Sequence, residues 1–325
     1  MGKMDVIMNE FLEEPERFAD FFNGVVFGGE EVIKPEELKC VSGRYKVSSS
    51  GEKGRGRKTK SSNRYRDIKM EWKDSAGLRI LAIENQNRID YSMPFRIMGY
   101  DSAEYDKQIR AHKKRYREEG TRLIPGGLKK DDKLAPVYTI VFYHGTEKYA
   151  DWPKEISDMI DFPKGDRMRK LFSDYGIHLI CVDDMENGDI FHTDLKLLIK
   201  AMSYRDNKTE LREHLMTDRD YEHVGEDVLE AISAAVNSPA IWEKRREYIS
   251  TRNEMEGYDM CKAMDEWEAD VRAEGRAEGR EEGREQSRID SIRSIMKNLK
   301  LSLQEAMDAL SIPLEEQQKY KMKLQ

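Results

Sequence analysis

Apolar residues in this chain gather into short runs of strand length, set between stretches that are almost entirely polar. Ile80-Leu81-Ala82-Ile83 is an unbroken apolar run bounded by charge, which predicts a buried central strand. Val137-Tyr138-Thr139-Ile140-Val141-Phe142-Tyr143 is β-branched and aromatic and predicts another, and Tyr175 to Val182 a further one. Helical spacing dominates elsewhere. Val6, Phe11, Phe18, Phe21, Phe22 and Val25 describe a helix over residues 5–26 that Pro15 interrupts. After Pro94 a second helix is predicted, with Phe95, Met98, Tyr105 and Ile109 toward a sheet. Leu195 to Met202, Leu211 to Leu215 and Val228 to Ile241 are helical as well. Strands separated by helices give an α/β, or mixed α+β, core with flanking helices.

Two segments carry the candidate chemistry. Arg64 to Trp72 and Leu78 to Gln86 are separated by a short turn through Asp74 and Gly77, so they should pair as a hairpin that brings Asp67 near Glu84. Glu84-Asn85-Gln86-Asn87-Arg88 ends the buried run with five polar side chains, and the ends of buried strands are where open α/β sheets place their sites. A hard cation such as Mg2+ or Mn2+ takes oxygen ligands and keeps several waters. Asp67, Glu84 and the main-chain carbonyl of Asn85 suffice to hold one beside a phosphate. Gln86 can orient a water but brings no positive charge. Strand alternation puts Lys69 on the face of Asp67, where it would offset charge in a transition state.

Charge narrows the choice of partner. The 325 residues carry a net charge of −7, with 37% charged and 38% hydrophobic residues, so contact with DNA must come from local basic patches. The strongest is Ser48 to Asn63, where Lys53, Arg55, Arg57, Lys58 and Lys60 stand among Ser and Gly. With almost no apolar residue it should be a mobile loop just before the strand of Asp67, either a solvated insertion or a segment that grips phosphates. Arg96 could clamp a phosphate bidentately, with Tyr100 and Gln108 beside it, or be an ordinary surface arginine, and Arg110 to Arg117 is either a solvated helix end or a second DNA contact. His144 ends a strand in a hydrogen-bonding role, Trp152 covers the core edge, and Asp183-Asp184 makes a turn. Cys40, Cys181 and Cys261 are too scattered for a disulfide framework, and Cys181 is a small core hydrophobe. No secretory leader opens the sequence and no apolar run approaches the about 20 residues that cross a bilayer, so a cytoplasmic protein without a membrane partner is expected.

The tail is periodic. Arg272, Arg276, Arg280 and Arg284 recur every fourth residue, with Glu274, Glu278 and Glu282 and Gly275, Gly279 and Gly283 between them. Each glycine costs a helix about 1 kcal/mol against alanine, while the charges pair along it, so a marginal exposed helix or a flexible linker results. An apolar stripe from Ile289 to Leu299 and a short helix from Leu303 suggest a small module that either self-associates or reads DNA. The division expected is a core over 1–245, a charged helical linker over 246–288 and a helical module over 289–325.

Several of these stretches together resemble a known family, the recombination-promoting nuclease and transposase-like group of the PD-(D/E)xK phosphodiesterases. The matching residues are Arg66-Asp67-Ile68, Ile83-Glu84-Asn85-Gln86, Asp90 to Arg96, Tyr100-Asp101, Ile140 to Gly145 with Trp152, and the Glu-Gly-Arg repeats. The resemblance implies a restriction-endonuclease-like core and a metal-dependent DNA endonuclease linked to recombining or mobile DNA. Within it, Asp67, Glu84, Gln86 and Lys69 are the catalytic candidates. In such nucleases an acidic residue on the first helix often assists the metal, which points to Asp20 and Asn23; a polar face or a cap for the Gly28-Gly29 turn is the other reading. The chain departs from the superfamily pattern twice: Arg66 replaces proline before Asp67, and Gln86 replaces the lysine two residues after Glu84. The second departure motivates the alternative of an inactive nuclease fold that binds DNA or acts as a scaffold.

Overall fold

The structure is a computed structural model that describes residues 3–50, 59–121, 125–149, 151–185, 188–252 and 255–324. Two helices, α1 (Lys3–Leu12) and α2 (Pro15–Phe27), open the chain, and Pro15 separates them by standing in the first turn of α2, where no amide is needed. There follow β1 (Leu38–Cys40), β2 (Arg44–Ser50), β3 (Thr59–Tyr65), β4 (Ile68–Asp74), β5 (Gly77–Gln86), α3 (Met93–Glu118), β6 (Val137–Tyr143) and β7 (His178–Cys181). Helices α4 (Leu195–Ser203), α5 (Lys208–Thr217), α6 (Glu226–Ala235) and α7 (Pro239–Glu243), strands β8 (Ile249–Arg252) and β9 (Met255–Tyr258), and helices α8 (Met260–Leu299), α9 (Leu303–Ala309) and α10 (Leu314–Leu324) complete it.

The main sheet is mixed, in the order β1-β4-β5-β6-β7. β4 and β5 form an antiparallel hairpin in which Ile68 faces Ile83, and β6 and β7 add in parallel. The hairpin turn is made by Ser75 and Ala76, with the Asp74 carboxylate accepting the amides of Ala76 and Gly77 at 2.8 and 3.0 Å. Alternation along β6 separates two layers. Val141 and Tyr143 pack with Met93, Ile97 and Tyr100 of α3, while the Phe142 ring sits 5.0 Å from that of Phe21 on α2. Trp152 and Cys181 belong to the α3 layer, as a core-edge tryptophan and a core cysteine should.

Three expectations change. The strand expected over Arg64 to Trp72 breaks at Arg66-Asp67: Thr59–Tyr65 pairs in register with Arg44–Ser50 as a separate two-stranded sheet. The flanks of the presumed basic loop are therefore strands, because backbone pairing needs no apolar side chains. Lys60 lies in β3, and Lys53, Arg55, Arg57 and Lys58 fall outside the described residues. The sheet-facing stripe of α3 is also different. Phe95 is half exposed, and the buried positions are Met93, Ile97, Tyr100, Asp101 and Glu104, since buried cations on the sheet draw the two acidic residues inward.

The chain divides into two compact units, Met1–Cys261 and Lys262–Gln325. Residues 246–261 belong with the first because the β8–β9 hairpin is tied to it by reciprocal hydrogen bonds between Val224 and Tyr258 at 2.9 Å. In the second unit the Glu-Gly-Arg repeat is carried within α8, and a small core of Ile289, Ile292, Ala306, Met307, Ile312 and Tyr320 joins α8, α9 and α10. Ser302 and Glu305 cap α9 reciprocally. Among the described residues no helix is long and apolar enough to cross a membrane.

Candidate active site

Continuing the β4–β5 register one step beyond Ile68↔Ile83 sets Asp67 opposite Glu84. Asp67 Oδ2 accepts the amide of Asn85 at 3.0 Å, which locks the carboxylate across the mouth of the hairpin. Glu84 is completely buried on the α3 side of the sheet, in register with Val141. Neither of its carboxylate oxygens has a hydrogen-bond partner among the described residues. Arg96 Nη2, from the first turn of α3, stands 3.6 Å from Glu84 Oε2.

This is an expensive arrangement for two carboxylates. Burial, and then the nearby charge of Asp67, push Glu84 up to about 8. Burial likewise raises Asp67 to about 6, against the lowering effect of the Asn85 amide, Arg96 and Asn9, with Asp5 adding repulsion. Two carboxylic groups that repel each other, one with both oxygens buried and unsatisfied, are the donor set of a hard divalent cation. Asp67, Glu84 and the Asn85 carbonyl therefore fit such an ion. Among the described residues there is no group of three or more His, Cys, Asp or Glu placed to hold a metal, so a cation here would rely on main-chain oxygen and water as well.

The other candidates separate under the geometry. Arg96 donates to Asp90 Oδ2 at 2.6 Å, and Asp90 also accepts the amide and hydroxyl of Ser92 at the start of α3. Burial works against the Arg96 charge, but its hydrogen bonds to Asp90 and Tyr100 prevail and hold it above the ordinary arginine value. One edge of its guanidinium is thus anchored while the other points at Glu84. Lys69 is not a spare cation. Its Nζ lies 2.9 Å from Glu104 on α3, both side chains are buried, and burial lowers its pKa. Gln86 is half buried at the end of β5, and its carbonyl accepts the His144 amide at 2.9 Å.

Asp20 and Asn23 stand away from this chemistry. Asp20 accepts the amides of His192 and Thr193 and the Thr193 hydroxyl, and Asn23 pairs through its amide group with both backbone groups of Ile33 at 2.9 Å. Both are buried braces, satisfied by loop backbone. The helix that does reach the acidic pair is α1: Asn9 Oδ1 accepts Asn85 Nδ2 at 2.5 Å, and Asp5 acts on Asp67 by charge. The spacing Asp5-x-x-x-Asn9 puts both on one helix face, a signal weaker in the sequence than the Phe-rich stripe of α2.

His144 also departs from expectation. Only its backbone is bonded, and both ring nitrogens are buried without a hydrogen-bond partner among the described residues. Burial and the charge of Arg205 lower it to about 4, so it is a neutral core ring beside Phe142. Gln108 turns from the cleft to brace both backbone groups of Ala135, and Asp183 pairs with Arg205 at 2.9 Å.

Arg66 supplies what no motif announced. Its guanidinium is buried, donating to Thr139 Oγ1 at 2.7 Å and to Asp101, which also receives the hydroxyls of Thr139 and Tyr175. The residue before Asp67 is thereby fastened to α3, to β6 and to the segment before β7. Gly43 adds a close backbone approach, since its carbonyl accepts the Arg66 amide at 3.0 Å and a Cβ there would stand 2.6 Å from the Arg66 carbonyl.

Residues 58–223, just over half of the chain, match the family model described as "Putative transposase, YhgA-like". The match holds Asp67, Glu84, Gln86, Arg96 and the Arg66–Asp101 network, and leaves out α1, α2 and the second unit. No curated protein and no solved structure matches the chain.

Proposed function

The chain belongs to the YhgA-like transposase family, and from that premise we propose that it is a metal-dependent DNA endonuclease acting on mobile or recombining DNA, built on a PD-(D/E)xK core. The observation that carries the reading is Glu84, buried beside Asp67 with no well-formed hydrogen bond to either carboxylate oxygen and Arg96 at 3.6 Å as its charged neighbour. A structural acid at that depth would have a hydrogen-bonded partner. The fold agrees with it: an acidic pair at the mouth of an antiparallel hairpin, then a helix and a parallel strand.

A divalent cation such as Mg2+ or Mn2+, held by Asp67, Glu84 and the Asn85 carbonyl, would neutralise charge on the phosphodiester and lower the pKa of a bound water. The protein's own groups do the rest. Asn85 and Asn9 fix the Asp67 carboxylate, Gln86 accepts or donates to a water at the strand end, and Arg96, held by Asp90 and Tyr100 and pointing at Glu84, places its positive charge beside the site. Lys53, Arg55, Arg57, Lys58 and Lys60 belong to this reading as phosphate contacts ahead of the site.

One observation favours an inactive, DNA-binding version of the same fold. Gln86 stands where a lysine is usual, and the nearest candidate replacement, Lys69, is committed to Glu104. Plasmid nicking by the full chain with Mg2+ or Mn2+, compared with Asp67→Ala, separates the readings. Metal-dependent nicking lost in the variant supports the endonuclease; nicking that persists in Asp67→Ala removes the mechanism. DNA binding without any nicking leaves the scaffold.

A further inference from the structure

Between β6 and β7 the chain makes a long excursion whose stem is tied twice to the candidate site. Trp152 Nε1 donates to the carbonyl of Asp90 at 2.7 Å, and Tyr175 donates its hydroxyl to Asp101. Asp90 is the residue that anchors Arg96, and Asp101 the one that anchors Arg66. Above these roots the two arms are bridged by Ile156 N to Tyr175 O at 3.1 Å and Ile177 N to Lys154 O at 2.9 Å. The stem is therefore anchored to the residues that hold Arg96 and Arg66.

The tip is one of several basic stretches in the chain. Residues 162–172 hold Lys164, Arg167, Arg169 and Lys170 against the acid Asp166, a charge of +3 at the tip, with Asp161 and Asp174 flanking it toward the stem. All four cations are exposed, and the Asp166 carboxylate is engaged by the amide of Met168 at 2.8 Å. Large apolar side chains stand out between them: Met168 is 64% exposed, Leu171 67% and Phe172 36%. The Phe172 ring is propped edge-on against Phe162, over which Arg169 stacks at 4.6 Å.

We propose that this tip is a docking element for DNA carrying unpaired bases, a reading that rests on the nuclease assignment and names the form of its substrate. Lysine and arginine alone would grip any duplex backbone. Exposed Met, Leu and Phe reach base faces in an intact duplex only by unstacking a base step, which costs free energy, whereas unpaired bases offer those faces without that cost. The charge excess sets the sign of the partner, and the apolar side chains set its form.

The test uses the full chain in EDTA, so that cleavage plays no part. Anisotropy of a labelled oligothymidine and of a labelled duplex is measured across a salt series for the parent, for Arg167→Ser/Arg169→Ser/Lys170→Ser and for Met168→Ser/Leu171→Ser. The charge variant should flatten the slope of log affinity against log salt for the single strand by about 2. The apolar variant should weaken single-strand binding by roughly tenfold, leave the slope alone and affect the duplex less. All these residues are exposed, so unfolding temperatures should match the parent; if the apolar pair fails to fold, Met168→Ser alone carries the comparison. Equal binding by parent and both variants overturns the proposal while leaving the endonuclease reading standing. So does a parent whose tip variants lose binding only to anionic phosphatidylserine vesicles, whereas a parent that binds no DNA overturns this proposal and the DNA reading of the site together. Cleavage that fails in a parent whose tip-dependent binding is intact would instead count against the endonuclease reading alone.

Discussion

Arg66 and Asp101 meet in the interior, side chain to side chain, across the interface between the edge of the candidate site and the middle of α3. Asp101 accepts three hydrogen bonds, from Arg66, Thr139 and Tyr175, and Arg66 donates a further one to Thr139, so the backbone that carries Asp67 is fixed from three elements at once. A proline before Asp67 would restrict the chain through φ; here a buried ion pair restricts it through tertiary contacts.

Removing one partner of such a pair strands the other. Arg66→Ala or Asp101→Asn should each destabilise the first unit by roughly 3–5 kcal/mol, whereas replacing both by apolar residues of similar volume should cost much less. Urea denaturation of the single and paired variants reads this directly. Singles as stable as the parent would mean that the network is a bystander.

Glu84 predicts an unusual pH profile for the metal-free protein. Its folded value of about 8 and that of Asp67, about 6, lie above their ordinary values of 4.5 and 3.8. The folded state therefore keeps protons that the unfolded chain has already lost. The stability these groups contribute is fully present below about pH 4 and declines as the pH rises toward 8, by at most about 5 kcal/mol for Glu84. His144 acts on the acid side: lowered to about 4 from 6.5, it removes stability as the pH falls through that window. Thermal unfolding in EDTA from pH 5 to pH 8.5 should show a decline that Glu84→Gln flattens and that saturating Mn2+ opposes. A parent profile parallel to that of Glu84→Gln would deny the burial cost of the ionised acid.

The hairpin, its turn and the strand carrying Glu84 were legible because their apolar run and turn residues are local signals. What stayed hidden was every buried charge that is satisfied across the fold. Asp101 and Glu104 look like the solvated face of α3, and only the positions of Arg66 and Lys69 on the sheet make them its buried face. Strand alternation puts Lys69 on the face of Asp67, and only the fold shows that its ammonium pairs with Glu104. The same blindness moved the first-helix candidates to Asp20 and Asn23, since no periodicity shows that residues 33 and 192–193 return to cover them. The β2–β3 ladder was missed for a different reason: strand pairing there is carried by backbone, and composition alone reads as loop.

The basic segment joining β2 to β3 yields a salt experiment. If Lys53, Arg55, Arg57, Lys58 and Lys60 contact phosphates, each contributes about −0.9 to the slope of log affinity against log salt on duplex DNA. Replacing all five by serine should weaken duplex binding at low salt and flatten the slope by several units, with little change in thermal stability. Equal slopes for variant and parent would remove these residues from the DNA contact.

Asn9 and Asn23 make the sharpest pair of variants, because the same substitution should do different things at each. Asn23→Ala leaves the backbone amide and carbonyl of Ile33 buried without their partner, which costs about 1–3 kcal/mol of stability. Because Asn23 lies away from Asp67, the rise in unfolding temperature on adding Mn2+ should be the same as in the parent. Asn9→Ala releases the Asn85 side chain and one support of the Asp67 carboxylate. It should therefore diminish that Mn2+-induced rise, and nicking with it, at a smaller loss of stability in EDTA. Differential scanning fluorimetry with and without Mn2+ distinguishes the two. A metal response lost in Asn23→Ala and retained in Asn9→Ala would return the first-helix role to α2.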